Sequence, residues 1–573
     1  MWRRFVTIAT VLAFALTALP AQADAFGYDA RKIDPGLLQR VLADPKADYD
    51  VIVRSAIDTT KTKYDRDDRA KRAGDEIKRL GGAPRRPLGI VGGASAKIKG
   101  AALLALTNSK LIDYVFANSR VKAHWDPTIG AAAEAIPGLQ SINVPNAWST
   151  YGVSGQGVGV AVVDSGVAAH PDLGSRLVAA IDFTQPCATS PCPVPTVSTT
   201  ALGDPGGHGT HVAGLIAGDG TSSGGAYTGV APRASIIDVR VIDANGNSNT
   251  SMVLQGLEWI LNNRSTYNIK VVNMSLGATP SSSYKQDPLD TAVEVLNFSG
   301  LTVVVAAGNC GPAASTITSP ADDPFIITVG AVDDAGTAAT ADDSIATFSA
   351  RGRTAYDALL KPDVSAPGRK MISLRSPGST LDTLYPEREI TAPGATTPQY
   401  FLMSGTSMAA PVVAGTVALM LERNSTLTPA MIKKRLKSSA SPISGFSATD
   451  EGAGRIDVAR TVGSISTDKE YSSGRVTDSF AKDMRNYIVG QPIQWRDLNY
   501  NGGLDSNNIP WSNVTWENIT WDNITWENIT WESFTWSNIT WENITWENIT
   551  WESTTSLSTG ALSGTGNGWD LVN

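Results

Sequence analysis

The chain has few of the residues that staple a fold or load it with metal: 573 residues hold 3 cysteines and 4 histidines. Three cysteines exclude a disulfide scaffold, and His124, His170, His208 and His211 offer few ligands for zinc. Charged residues are also sparse, at 18%, but 42% of the chain is hydrophobic, which excludes a wholly disordered protein. After Pro20 no uncharged apolar run approaches the roughly 20 residues of a membrane helix, so no membrane span is expected in the mature protein. The length exceeds what one core usually holds, and a catalytic-sized domain with accessory segments is expected.

What is present begins with an export signal. Arg3 and Arg4 precede the apolar run Phe5 to Pro20, and Ala21-Gln22-Ala23 supplies small residues for cleavage, so residues 1–23 read as a signal peptide of a secreted or cell-surface protein. Export makes one disulfide plausible, Cys187 to Cys192 around Pro191, with Cys310 the odd thiol; a bridge from Cys310 to either of the others stays open. Charge is uneven. Residues 24–126 carry 20 Lys and Arg against 14 Asp and Glu, whereas residues 127–573 total -16. A basic leader on an acidic body suggests electrostatic partners and argues against nucleic acid as a ligand of the body.

The leader reads as strand, helix, strand, helix, strand: Tyr49 to Val53, Arg66 to Leu80, Pro87 to Ile98, Ala101 to Leu106 and Leu111 to Val121. From Gln140 the texture becomes short β-branched runs between Gly-rich turns and helical segments, the pattern of a buried parallel sheet in an α/β domain. Four strands matter: Val158 to Val163 before Asp164, Ile236 to Ile242 before Asn245-Gly246, Ile269 to Val272 before Asn273, and Thr302 to Val305 before Asn309. Ligands collect beyond the carboxyl ends of such strands. The run Gly155-x-Gly157-x-Gly159 precedes its strand, the wrong side for a dinucleotide loop, which must follow the strand and open a helix.

Two segments open small-residue helices with a polar side chain: His208-Gly209-Thr210-His211 and Ser404-Gly405-Thr406-Ser407-Met408-Ala409-Ala410-Pro411. A serine at a helix start lies beside free N–H groups and a dipole that favours developing negative charge. The plain alternatives are that Ser407 caps its helix, that His208 and His211 share a metal, and that Asp164 merely ends a strand. The order Asp164, His208, Ser407, with Asn309 after an apolar strand between the last two, is that of one of the known serine triads.

At this point the chain resembles the subtilisin-like serine peptidases, the subtilases. The resemblance rests on Val162-Val163-Asp164-Ser165-Gly166, His208 to His211, Ser275-Leu276-Gly277, Ala306-Ala307-Gly308-Asn309 and Gly405 to Pro411. It implies a mainly parallel central sheet with flanking helices, Ser407 as nucleophile, His208 as base, Asp164 as its orienting carboxylate and Asn309 as oxyanion donor. It implies protein or peptide substrates, held by Gly246-Asn247-Ser248 along the backbone and by Ser275-Leu276-Gly277 and Ala306-Ala307-Gly308 as walls of a roomy apolar pocket. The acid-active sedolisins, with Asp at the oxyanion position, are disfavoured by Asn309. No cofactor is implied for the chemistry and no catalytic metal; structural calcium is frequent in the family, with ligands from loops that no motif marks here.

The family also gives the leader a role. Residues 24–128 resemble a small α+β propeptide that assists folding and then inhibits, released by a self-cleavage between Val121 and Ala135. The peptidase domain is expected over 129–465, ending with a helix at Thr428 to Ser438 and another near Gly454 to Arg460, and residues 466–510 read as linker. In 511–552 nine tryptophans recur every five residues as W-x-N-[IV]-T, with seven Asn-x-Thr sequons, followed by a tail over 553–573. An odd period sends successive tryptophans of a flat strand to opposite faces. A two-faced edge strand, a short solenoid or a tail held by a partner remain, and a surface or glycan partner is one expectation for so many indoles. A surface protein whose repeat is the active part is the competing functional class; a complete triad favours the enzyme.

Overall fold

The computed structural model describes residues 27–56, 66–125, 138–185, 192–470 and six short strands between 520 and 552. The signal, the sequence after Trp125 as far as 137, Cys187, most of the linker and the last tail lie outside the described residues.

The catalytic body is built on an eight-stranded sheet. Gly159–Asp164 lies at its centre, parallel to Ile269–Met274 on one side and Ser235–Arg240 on the other. Thr302–Ala306, Ile327–Asp333 and Val364–Pro367 extend the first side in parallel, Leu177–Asp182 extends the second, and only Ser344–Ile345 runs antiparallel. The near-continuous Val and Ile runs are explained by burial on both faces. Val160 and Val162 pack with the helices His208–Ala217 and Thr406–Arg423, while Ala161 and Val163 pack with Thr250–Asn263 and Pro288–Phe298.

The leader folds as a four-stranded antiparallel sheet whose core is shared with three helices, Pro35–Ala43, Arg66–Arg79 and Gly100–Thr107. Three features differ from the sequence expectation. A helix at Pro35–Ala43 precedes the first strand, started by Asp34, whose side chain accepts from Leu37 N at 2.7 Å. The segment Pro87 to Ile98 is divided between strands Ala83–Leu88 and Gly93–Lys99 by a turn in which Gly92 takes a positive φ of 63°. The last segment breaks after Ala117, and Arg120–Ala123 leaves the leader sheet for the body. Alternation decides the docking: Val51 and Val53 face the leader's own core, while Ile52, Tyr114 and Phe116 join the body's apolar cluster. Glu258 of the helix Thr250–Asn263 accepts from Gly89 N at 3.1 Å, and Thr250 N donates to Ser119 O at 3.0 Å.

Behind the sheet two lysines are buried with one aspartate. Lys361 Nζ lies 2.8 Å from Asp363 Oδ2 and Lys433 Nζ 3.0 Å from Asp363 Oδ1, all three residues being at most 2% exposed. Lys433 also donates to Pro324 O and Ile326 O at 2.7 and 2.9 Å, so two ammonium groups fill a ring of carbonyls and a carboxylate that would otherwise suit a cation. Burial raises the Asp363 carboxyl, and the charges of Lys361 and Lys433 overcome it and hold it at about 2. Burial depresses Lys433 to about 7 despite Asp363.

The repeat segment forms a separate unit, 507–573. Its strands pair in parallel, Thr520 opposite Thr540, Trp526 opposite Trp546 and Trp531 opposite Trp551. In each of these three pairs the partners stand 20 residues, or four pentads, apart. Among the described residues no helix is long and apolar enough to cross a membrane.

Candidate active site

The site forms where the carboxyl end of the central strand meets a helix start. Asp164 ends Gly159–Asp164 and His208 opens His208–Ala217, both buried. His208 Nδ1 donates to Asp164 Oδ1 at 2.7 Å, an oxygen that also accepts from Ser165 N at 2.7 Å. The acceptor fixes the tautomer: with the proton on Nδ1, Nε2 is left as a lone-pair nitrogen, and it makes no hydrogen bond within the protein. Asp204 holds this arrangement from behind. It accepts from Ser165 Oγ at 2.8 Å, Gly207 N at 2.7 Å and Thr210 N at 2.8 Å, pinning the turn and the first helical turn together. Ser165 Oγ, which also accepts from Gly209 N at 3.0 Å, is thereby committed to the scaffold.

Ser407 is the second residue of the helix Thr406–Arg423 and is fully buried. Pro411, four residues on, has no N–H for the Ser407 carbonyl, and Ser275 Oγ donates to that carbonyl at 2.9 Å instead. In return Ser407 Oγ donates to Ser275 O at 3.0 Å, so the serine is clamped to the pocket wall and is not bonded to His208. Such nucleophile–base bonds often tighten only around substrate. Asn309 follows the strand Thr302–Ala306, and its Oδ1 accepts from Thr406 N at 3.0 Å and Thr406 Oγ1 at 2.8 Å. This pair fixes the amide so that Asn309 Nδ2 is a buried donor without an acceptor.

The residues expected to bind substrate surround one strand of the leader. Arg120–Ala123 pairs antiparallel with Asn247–Asn249 on one side, Val121 opposite Ser248 and Lys122 opposite Asn247. It pairs with Leu276–Gly277 on the other, and Ala123 N donates to Gly246 O at 3.2 Å. Ala306 ends its strand, Ala307 O accepts from Thr318 N at 3.1 Å, and a Cβ on Gly308 would lie 2.8 Å from Thr318 Cγ2. Thr318 thus places its methyl beside Gly308 and its hydroxyl beside Gly277, one residue of each expected wall.

Thr318, Thr406, Asp204 and Ser165 were not singled out by the sequence reading. Asp204 had a signal, an Asx residue just ahead of a helix start; Thr318, in a loop without periodicity, had none. Burial raises the Asp204 carboxyl, opposed by its hydrogen bonds, and burial raises Asp238, beneath the site, well above the usual carboxylate range. His211 is neutral: burial and the neighbouring His208 lower it to about 3, and its Nε2–H is shared between Met371 O and Phe401 O at 3.1 and 3.0 Å. His170 Nε2 meets Gln399 O at 3.0 Å, away from His208. Cys310 is free and exposed, so it takes part in no bridge, and Cys192 is disulfide-bonded; Cys187, its expected partner, lies outside the described residues. Among the described residues no group of three or more His, Cys, Asp or Glu side chains is placed to hold a metal ion, and at Asp363 the lysines already fill the donor ring.

Comparison with known proteins gives these features a context. The family model of the subtilase family matches residues 155–481. The serine protease AprX of Bacillus subtilis is 38% identical over 380 residues, 64% of this chain and 78% of the relative. Subtilisin E of the same organism is 35% identical over 370 residues, covering 64% and 80%. The crystal structure of fervidolysin from Fervidobacterium pennivorans, described as a keratinolytic enzyme related to subtilisin, superposes with a TM-score of 0.54 at 24% identity over 73% of this chain and 61% of that one, a likeness of fold. A family match that spans a carboxylate-bound histidine and a helix-borne serine leaves one assignment: the chain belongs to the subtilase family and is a subtilisin-like serine endopeptidase, a hydrolase of peptide bonds.

Proposed function

We propose that Ser407 attacks the scissile carbonyl, that His208 takes its proton and returns it to the leaving amine, and that Asp164 holds the imidazole tautomer and stabilises the imidazolium. Asn309 Nδ2 and the Ser407 N–H, one of the helix's unpaired first-turn donors, receive the oxyanion. The observation that carries this reading is the 2.7 Å bond from His208 Nδ1 to Asp164, with Nε2 making no hydrogen bond within the protein. Side chains and backbone N–H groups supply the whole reaction, with no cofactor step. Asn309→Leu is expected to lower kcat by about 100- to 1,000-fold with KM little changed, as with other single oxyanion donors. Steady-state kinetics on a peptide amide decide it; a loss confined to KM would remove Asn309 from the oxyanion.

The protein is made as a secreted zymogen. Its leader occupies the cleft as an extended strand between Asn247–Asn249 and Leu276–Gly277, the mode in which peptide substrates add to the site. Self-cleavage between Val121 and Ala135 then leaves the leader as an inhibitor. Expression of residues 24–573 tests both claims together: the chain should shed roughly a leader's mass and degrade a generic protein substrate. A chain that stays whole and inert contradicts them. For the repeat, which we read as a packing or surface-binding segment, removal of residues 509–573 should change thermal stability or localisation more than turnover of a small peptide. A large loss of peptide turnover at normal stability would overturn that division.

A further inference from the structure

The end of the leader strand is placed at the chemistry residue by residue. His124 N donates to Ser275 O at 3.2 Å, extending the ladder of Arg120–Ala123 by one step. Its carbonyl then lies against Gly405, as does the Asn309 amide. A Cβ built on Gly405 would lie 2.6 Å from His124 O, 3.0 Å from Trp125 Cα and 3.1 Å from Asn309 Nδ2. The peptide linking His124 to Trp125 therefore passes over the glycine two residues before Ser407, near a buried amide that has no acceptor within the protein.

Both flanking side chains have receptors. The His124 ring lies in the pocket, its Nε2 at 3.2 Å from Thr318 Oγ1 and so near Gly277 that a side chain there would collide with it. Thr318 Oγ1 donates to Ala307 O at 3.3 Å, so toward the imidazole it is an acceptor, and His124 donates as a neutral Nε2–H ring. Burial and the nearby His208 depress His124 to about 4, in keeping with that neutral form. On the other side the Trp125 indole meets Tyr385 edge-on at 5.4 Å between ring centres, and the Arg388 guanidinium lies 5.9 Å from the ring.

We propose that the bond between His124 and Trp125 is the one this protein cleaves in itself, and that the Thr318 hydroxyl selects the histidine on its acyl side. This rests on the triad reading. Ser407 Oγ bonds to the His124 carbonyl carbon as His208 takes the hydroxyl proton, and the C–N bond breaks as that proton passes to the Trp125 nitrogen. Water then hydrolyses the ester, leaving a carboxylate on His124, a free amine on Trp125 and the serine restored. The same contact makes Thr318 a specificity-determining residue toward other substrates, favouring a ring that can donate a hydrogen bond over one of similar size that cannot.

The test begins with the N-terminal sequence of the processed full chain, expected to be Trp125; any other new N-terminus overturns the assignment while leaving the protease reading intact. No processing in the wild-type chain overturns both. Selectivity is read with two peptides spanning residues 120–128, one native and one carrying H124F. Loss of one neutral hydrogen bond predicts a kcat/KM about tenfold lower for the second. In Thr318→Val that ratio should fall to near one, and an unchanged ratio overturns the role of Thr318. Because Thr318→Val alters the body, H124F is also placed in the full chain, where the catalytic sequence is untouched; slower processing supports the contact, and wild-type processing speed overturns it.

Discussion

Ser407→Ala is expected to lower turnover of a peptide amide by about a millionfold, the order of loss found when the nucleophile is removed from subtilisin, a relative. The fold should survive, because Ala retains the helix start and the Ser407 carbonyl still accepts from Ser275 Oγ. Only the hydroxyl, with its bond to Ser275 O, is lost. Residual catalysis over water should remain, since Asn309 and the cleft are intact. The leader should stay attached for the same reason. Adding His208→Ala should cost almost nothing further, as groups acting as one unit are grossly non-additive. Single-turnover kinetics and circular dichroism together decide the matter: unchanged turnover in a folded variant would remove Ser407 from the mechanism.

Asp363→Ala is expected to be the most destabilising single substitution outside the cleft. It leaves two buried ammonium groups facing each other without their carboxylate, and removing one partner from a buried pair typically costs about 3–5 kcal/mol. Thr328 N would also lose its acceptor, now at 2.9 Å. Lys433→Met should be far milder, because it leaves Lys361 and Asp363 as a balanced pair. Denaturant melts of the processed protein separate the two; equal losses would show that packing, not charge, governs the cluster. The sign of the pH dependence follows from the depressed Lys433, lowered from about 10.5 unfolded to about 7 in the fold. Between those values the unfolded chain binds more protons, so this residue adds stability as pH rises from about 7 toward 10 and withdraws it as pH falls.

The parts of the site that local chemistry dictates were legible from the chain. A strand needs β-branched residues, so its end at Asp164 could be read, and a buried small-residue helix announces its start at Ser407. Asn309 and the two pocket walls came with the family's motifs. What escaped the sequence depends on contacts between distant segments. Thr318 meets Ala307 and Gly308 only through the fold. Lys361 and Lys433 have the composition of a solvated surface, and a carboxylate and inward carbonyls alone make their burial tolerable. The break after Ala117 is different in kind: it falls at Asn118-Ser119, a readable turn signal that was passed over, and of the strand beyond it only Val121 is buried. The helix at Pro35–Ala43 is of the same kind: Asp34 and Pro35 were a readable start signal. In the repeat, a period of five says nothing about which pentads pair; the pairing of Thr520 with Thr540 does.

The slot that holds Arg120–Ala123 is one strand wide, with a hydrogen-bonding edge on each side. With the leader absent, both edges can be satisfied together only by a backbone that is straight and unpaired on both flanks. A helix cannot enter, nor can a strand still bound within its own sheet. Cleavage of a folded protein must then wait for the target to release four or five residues, and its rate is set by the free energy of that local opening in the target. Between two proteins with the same preferred sequence, the enzyme would distinguish the loose from the rigid, acting as a gauge of its substrates' own stability.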